Sequence, residues 1–271
     1  MKPDIFRLFL FIPDMKHSFL YDTDAWIICS ILFVLMTGMV YLGLFLRHKT
    51  ITSAEGLGPV EASLFGLLAL LLAFTFGEAD SRFDARRRII TTEANNIGTA
   101  ILRADMYADS DRIAFRKDFA RYVEARLNYY EAKRDEVKVA AAKEDANTHA
   151  ASLWKRAASL SKDPANLAAS NQMIPALNAM IDITTEREAA SKATVPESIL
   201  LLLFVISLCC SFFIGYCVAH DKRLNRLAVG GFIFLTTIVI YVIMDLDRPR
   251  RGIINLDSNQ QYIRDLRTML K

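Results

Sequence analysis

Apolar positions along this chain gather into four blocks rather than spreading through it. Residues 25–46 run for 22 positions without a charge, and residues 62–77 for 16, with Glu61 at the entrance. Residues 198–219 run for 22 and residues 227–244 for 18. A helix rises about 1.5 Å per residue and a hydrocarbon core is about 30 Å thick, so a crossing takes roughly 20 apolar residues. The first and third blocks meet this outright, the fourth is slightly short, and the second needs flanking residues to reach both interfaces. The pattern predicts four transmembrane helices, at 25–46, 59–77, 197–219 and 226–244. Taken alone, Ala62–Phe76 also fits a buried helix of a soluble core. The first block starts too late, and is too long, for a cleaved signal segment. Ahead of it, in residues 1–24, Phe6 and the run Leu8 to Ile12 are too short to span and stop at Pro13. That segment reads either as lying in the membrane interface or as packing on the cytosolic domain.

Between the second and third blocks the pattern changes. Residues 78–195 hold no apolar run long enough to cross, few glycines, and prolines only at Pro164 and Pro175. Helix-favouring Ala, Arg, Glu, Lys and Leu dominate. Apolar residues return at helical spacing, as in Ile89, Ile90, Ile97, Ile101 and Leu102, then Ile113, Phe115, Phe119, Tyr122, Val123 and Leu127. Three helices are predicted, at about 78–107, 111–161 and 165–193. Asp109-Ser110-Asp111 offers cap oxygens between the first two, and Asp163-Pro164 places proline near the start of the third. No breaker separates residue 78 from the second span, so one continuous rod is expected to leave the membrane. Mixed charges from Arg121 to Lys138 read as a solvated face with i,i+4 pairs, or as an interaction surface. Residues 138–169 are Ala-rich and weakly amphipathic, which predicts a loosely held stretch. The whole reads as an all-α, four-span membrane protein with a cytosolic helical domain at 78–195 and a cytosolic C-terminal segment at 245–271.

Composition supports the same class. Of 271 residues, 53% are apolar and 23% charged, and mean hydropathy is +0.23, which argues against an ordinary soluble enzyme. Net charge is +3, from 33 basic and 30 acidic residues. That balance does not suggest a nucleic-acid binder, which needs a clear basic excess on one surface. Cys29, Cys209, Cys210 and Cys217 lie inside apolar runs without Cys-x-x-Cys spacing, and so read as buried thiols. Orientation follows basic residues near span ends. The side holding both termini carries many, among them Lys2, Arg7, Arg82, Arg86, Arg87, Arg88, Arg248 and Arg250. The two opposite loops carry Arg47, Lys49, Lys222, Arg223 and Arg226. The bias places both termini in the cytosol of a multi-pass protein of the cell membrane.

Catalytic signatures are missing. There is no Gly-x-x-x-x-Gly-Lys-Ser/Thr, Gly-x-Ser-x-Gly or His-Glu-x-x-His, and no two of the four histidines have metal-ligand spacing. The chain reads as a non-enzyme with no metal and no cofactor. Asp245-Leu246-Asp247-Arg248-Pro249-Arg250-Arg251-Gly252 is the densest polar motif. Two carboxylates are too few for a hard cation and the arginines repel one. It reads as a structural salt-bridge corner involving Asp245, Asp247, Arg248 and Gly252, with Pro249 and Gly252 turning the chain. Glu61 reads either as a helix N-terminal cap or as a charge at a pore mouth.

The second span carries a familiar pattern. Phe65-Gly66-Leu67-Leu68-Ala69-Leu70-Leu71-Leu72-Ala73-Phe74-Thr75-Phe76, followed by Ser81-Arg82-Phe83-Asp84-Ala85-Arg86-Arg87, resembles the second-span signature of bestrophins. Over roughly residues 25–270 the chain is similar to a bestrophin-like family of integral membrane proteins. That likeness also rests on Glu93-Ala94-Asn95-Asn96-Ile97-Gly98-Thr99-Ala100 and on the Asp245–Gly252 motif. The resemblance implies a pentameric ion channel with the second span lining its pore. Carried over by position, the three pore-facing apolar residues fall on Gly66, Leu70 and Phe74, with glycine leaving a wider outer ring. Glu61, Glu78, Asp80, Arg82 and Arg86 would stand at the pore mouths. The bestrophin calcium-binding acidic cluster has no counterpart beyond Asp245 and Asp247, so calcium gating is not implied. Two functions follow: an oligomeric ion channel or passive ion pathway, or a non-conducting membrane scaffold or sensor whose helical domain binds a partner.

Overall fold

The computed structural model describes residues 19–49, 58–217, 225–248 and 252–271. The segment around Phe6 to Ile12, the loop basic residues Lys222 and Arg223, and Pro249 to Arg251 lie outside them. Among the described residues the elements are helices: α1 (Phe19–Asp22), α2 (Ala25–Lys49), α3 (Gly58–Arg103), α4 (Asp109–Glu131), α5 (Glu136–Leu160), α6 (Leu167–Lys192), α7 (Glu197–Tyr216), α8 (Arg226–Leu246) and α9 (Gln261–Met269). Short 3-10 turns at Ala104–Met106 and Pro164–Asn166 join α3 to α4 and α5 to α6. The chain divides into two compact units, residues 1–77 with 195–244, and residues 78–194 with 245–271.

The first unit holds α2, the apolar start of α3, α7 and α8, each long and apolar enough to cross a membrane. Small residues set how closely α2 and α7 approach. A Cβ on Gly215 would lie 2.0 Å from the Val40 carbonyl oxygen, and one on Gly43 2.3 Å from the Phe212 carbonyl oxygen. Backbone meets backbone at both points, as small-residue interfaces in lipid allow. Hydroxyls in the spans bond to their own helix: Ser207 donates to the Leu203 carbonyl at 2.7 Å and Ser211 to the Ser207 carbonyl at 2.8 Å. Neither needs a partner from outside the helix. Phe65 of α3 meets Phe232 of α8 edge-on, with ring centroids 5.2 Å apart.

The second unit packs the polar part of α3 with α4, α5, α6 and α9. Ile90, Ile97, Ile101, Phe115, Phe119, Leu153, Met173, Leu177 and Ile263 are among the side chains of its core. As expected, α3 runs unbroken from the span into this unit, over 46 residues. The middle helix differs from expectation, because the stretch 111–161 is broken. Lys133 takes a left-handed conformation (φ 42°), and the Asp135 side chain caps α5 by accepting from the Lys138 amide. Asp109 and Asp111 do not cap α4: Ala108 holds the cap position and both acids sit in the first turn, where the dipole favours them. Asp163 does cap, accepting from the Ala165 amide. The Ala-rich stretch buries Ala142, Ala146, Ala150, Leu153 and Ala157 along one face of α5, so small side chains at helical spacing anchor it.

Inside this core sits a carboxylate. Glu93 of α3 is fully buried and accepts from Arg126 of α4 at 2.5 Å and from Arg187 of α6. The Arg187 guanidinium lies 3.7 Å from the centre of the Tyr130 ring, a cation–π contact. Burial alone would raise the Glu93 pKa. The pull of Arg187 and Arg126, with their hydrogen bonds, wins and holds it below the ordinary 4.5. The two arginines part company. Burial lowers Arg187 to about 10 despite Glu93, and Arg126 adds to the lowering. Burial also works against Arg126, but Glu93 outweighs it and keeps that group above the ordinary arginine value. Burial, rather than an excess of charge, is what lowers Arg187.

Two outcomes follow from these contacts. Gly215→Ala forces α2 and α7 apart and costs about 1–3 kcal/mol. Thermal unfolding in detergent should show the loss, while Gly66→Ala, whose new Cβ meets nothing within 4 Å, shows none. Glu93→Gln leaves two buried guanidiniums without their counter-charge and costs about 3–5 kcal/mol. A carboxylate with a lowered folded pKa contributes fully above its unfolded value and loses that contribution as pH falls through its folded value. The wild-type chain should therefore lose stability on acidification below about 4.5 more steeply than Glu93→Gln does, as denaturant titrations at several pH values would read.

Candidate functional site

The face of α3 singled out from its spacing lies open. Residues i, i+4 and i+8 share one side of a helix, which groups Gly66, Leu70 and Phe74. Nothing lies within 4 Å of a Cβ built on Gly66. Leu70 is 52% exposed and Phe74 65%. Other positions are covered: Leu68 is buried, and Thr75 is buried with its hydroxyl donating to the Leu71 carbonyl at 2.7 Å. Only 11% of the apolar stretch of α3 is buried, against 33–39% in α2, α7 and α8. An apolar helix face this exposed is matched to lipid or to another copy. Glu61 lies in the first turn of α3, close to the Cys217 thiol.

The charged residues beyond the span divide into two groups. The Glu78 side chain is 73% exposed and meets Arg82 at 3.4 Å, and Asp80 is exposed. Arg82 also donates to Asp247 at 3.1 Å. Arg86 is only 4% exposed and is held from three sides. It donates to the carbonyls of Ala190 at 3.0 Å, Leu246 at 2.9 Å and Ala193. Its guanidinium lies 3.9 Å from the Asp247 carboxylate. The helix carrying Arg86 is thereby tied to the ends of α6 and α8. A five-donor guanidinium suits this task because its fork reaches several carbonyls at once.

Asp245 sits at the centre of the following turn. Its carboxylate accepts from the Ile253 amide at 3.1 Å and the Ile254 amide at 2.8 Å. The Gly252 amide donates to the Arg248 carbonyl at 3.2 Å, and a Cβ on Gly252 would lie 2.8 Å from the Asp245 carboxyl group. Asp245, Asp247 and Arg248 are all buried. Among the described residues, no group of three or more His, Cys, Asp or Glu is placed to hold a metal ion. The four cysteines are free thiols.

The Glu93 cluster was not anticipated as a unit. Its signal is present in the sequence, because Glu93 interrupts the apolar stripe Ile90, Ala94, Ile97 and Ile101 on one helix face. Its partners, 33 and 94 positions away, carry no local mark that separates them from surface arginines.

Comparison with known proteins places this architecture. The Bestrophin-like domain matches residues 28–260, whereas no curated protein sequence matches the chain. Two crystal structures of a bacterial bestrophin homologue from Klebsiella pneumoniae are similar. One, a single-substitution variant, has a TM-score of 0.71 at 13% identity, covering 94% of this chain and 99% of that one. The other has a TM-score of 0.68 at 13% identity, covering 89% of this chain and 98% of that one. At such identity the likeness is one of fold. With an all-helical architecture, four helices apolar enough to cross a bilayer and the domain match over most of its length, the chain belongs to the Bestrophin-like family and is a membrane protein.

Proposed function

We propose that this chain is one subunit of a homo-oligomeric ion pathway in the cell membrane, with both termini in the cytosol and α3 of each copy turned toward a shared axis. The observation that carries the reading is the exposure of Leu70 and Phe74 on one face of the least covered span. A single four-helix bundle has no room for an axial pore, so the pathway needs several copies; similarity to bestrophins makes five the natural number. Repeated around an axis, Leu70 and Phe74 form an apolar constriction of the kind that gates by dewetting, with Gly66 leaving a wider ring beyond it. Glu61 stands before this face in the same helix. Glu78, four residues after Phe74, and then Asp80 supply carboxylates at the other mouth. Arg82 and Arg86 act there through the ion pairs and carbonyl bonds that hold the end of α3, and Asp245, Asp247, Arg248 and Gly252 form the corner they grip.

Purified chain in liposomes should pass monovalent ions, and Phe74→Ala should raise the flux several-fold by widening the apolar ring. Absence of flux for any monovalent ion, across voltage and pH, would leave the non-conducting scaffold as the better reading. Native mass in detergent gives a second check: five protomers are expected, and a monomer would overturn the shared axis.

A further inference from the structure

We infer that Arg88 sets the charge preference of the pathway and makes its permeant ion an anion. The inference rests on the pathway proposed above and assigns a residue and an ion class within it.

Leu70 is the middle one of the three residues turned to the shared axis, so its direction marks the centre line of that face of α3. At 3.6 residues per turn, position 88 returns to the same direction after about five turns. Gly77, Ser81, Arg88, Thr92, Asn95 and Thr99 all fall within about 40° of the line, and all are exposed. The strip that begins at Gly66 therefore stays open to the last turns of a 46-residue helix. Its chemistry changes on the way, from apolar in the span to hydroxyl and amide groups in the second unit. Threonine and asparagine are poor helix formers. The good formers that suit a helix face in bulk water, Glu, Lys and Gln, do not occur on this strip. Small uncharged polar groups suit a narrow column of water instead.

Within the strip, Arg88 is the one full charge left without a partner among the described residues. Asp84, at its edge, pairs with Arg87 at 3.3 Å. The Arg88 side chain makes no ion pair or hydrogen bond among the described residues. The other charges of α3 lie off the line or are taken up. Glu78 and Asp80 stand about 80° to either side of it, and Glu78 meets Arg82 at 3.4 Å. Glu61, two and a half turns before Leu70, is on the far side of the helix. Arg86 and Glu93 are buried. Arg103 closes the last turn, where the helix dipole favours a cation. Repeated around the axis, the Arg88 guanidiniums make a cationic ring, which draws in anions and repels cations. The apolar ring of Leu70 and Phe74 carries no charge, so the choice of sign falls to Arg88.

The test uses the full-length chain in liposomes, with the reversal potential read under a potassium chloride gradient. The wild type should favour chloride over potassium. Arg88→Gln should bring the two permeabilities several-fold closer, and Arg88→Glu should reverse the preference. Both should unfold at the wild-type temperature, because the side chain they replace is exposed. Asp80→Asn, off the line, should leave chloride favoured as in the wild type. A wild-type preference for potassium overturns the anion, and a chloride preference undiminished in both Arg88 variants overturns the residue. A shift from Asp80→Asn as large as that from Arg88→Gln overturns the placing of Arg88 on the axis. No flux from the wild type overturns the pathway itself, whereas flux that ignores Arg88 overturns this assignment alone.

Discussion

Hydrocarbon supplies no hydrogen-bond partner, and each backbone amide left unpaired in it costs several kcal/mol. The four apolar segments of this chain are therefore helical for a reason that lies outside the polypeptide, and their side chains are released from satisfying anything but packing. The hydroxyls of Ser207, Ser211 and Thr75 obey the same constraint by turning back onto carbonyls of their own helices. What remains to hold span against span is contact at close range. That is why the tightest approaches fall on glycines, and why large side chains such as Leu70 and Phe74 are left facing outward.

The polar unit solves the opposite problem. In water its helices have a hydrophobic driving force, and the core of Ile97, Phe115, Phe119, Met173 and Leu177 uses it. Into that core the chain also inserts Glu93 with two arginines. Such a group is weak evidence for stability, since apolar residues of similar volume often do as well. Its effect here is to fix which face of α3 meets α4 and α6, with the tyrosines over Arg187 completing the arrangement. At Asp247 a buried carboxylate likewise meets two guanidiniums, those of Arg82 and Arg86.

Local signals carried much of this architecture. Span positions follow from run length, and the continuity of α3 from the absence of any breaker between Gly77 and Ile90. The helix over 167–192 was marked by Asp163-Pro164 just ahead of it. Where inference failed, the deciding interaction was either one residue's backbone or a distant partner. The break after Glu131 turns on a left-handed lysine, which composition does not favour, and its one local cue was Asp135 as a cap. Asp109 resembled a cap but lost that position to Ala108, a one-residue shift that pattern reading does not resolve. The open face of α3 was legible as a spacing, while its exposure became evident only once the other three spans were in place. Three of the groups that hold Arg86 are backbone carbonyls, which leave no trace in residue identity at all.

The crossing of α2 and α7 has a consequence for recognising relatives of this chain. At Gly43 and Gly215 the space is filled by peptide groups, which every sequence possesses in identical form. No compensating exchange of side chains can reopen that gap once it is closed. A homologue preserving this geometry must therefore spell glycine at two positions set far apart in its text. Such a paired marker would register the first and third crossings in sequences too diverged for alignment by resemblance alone.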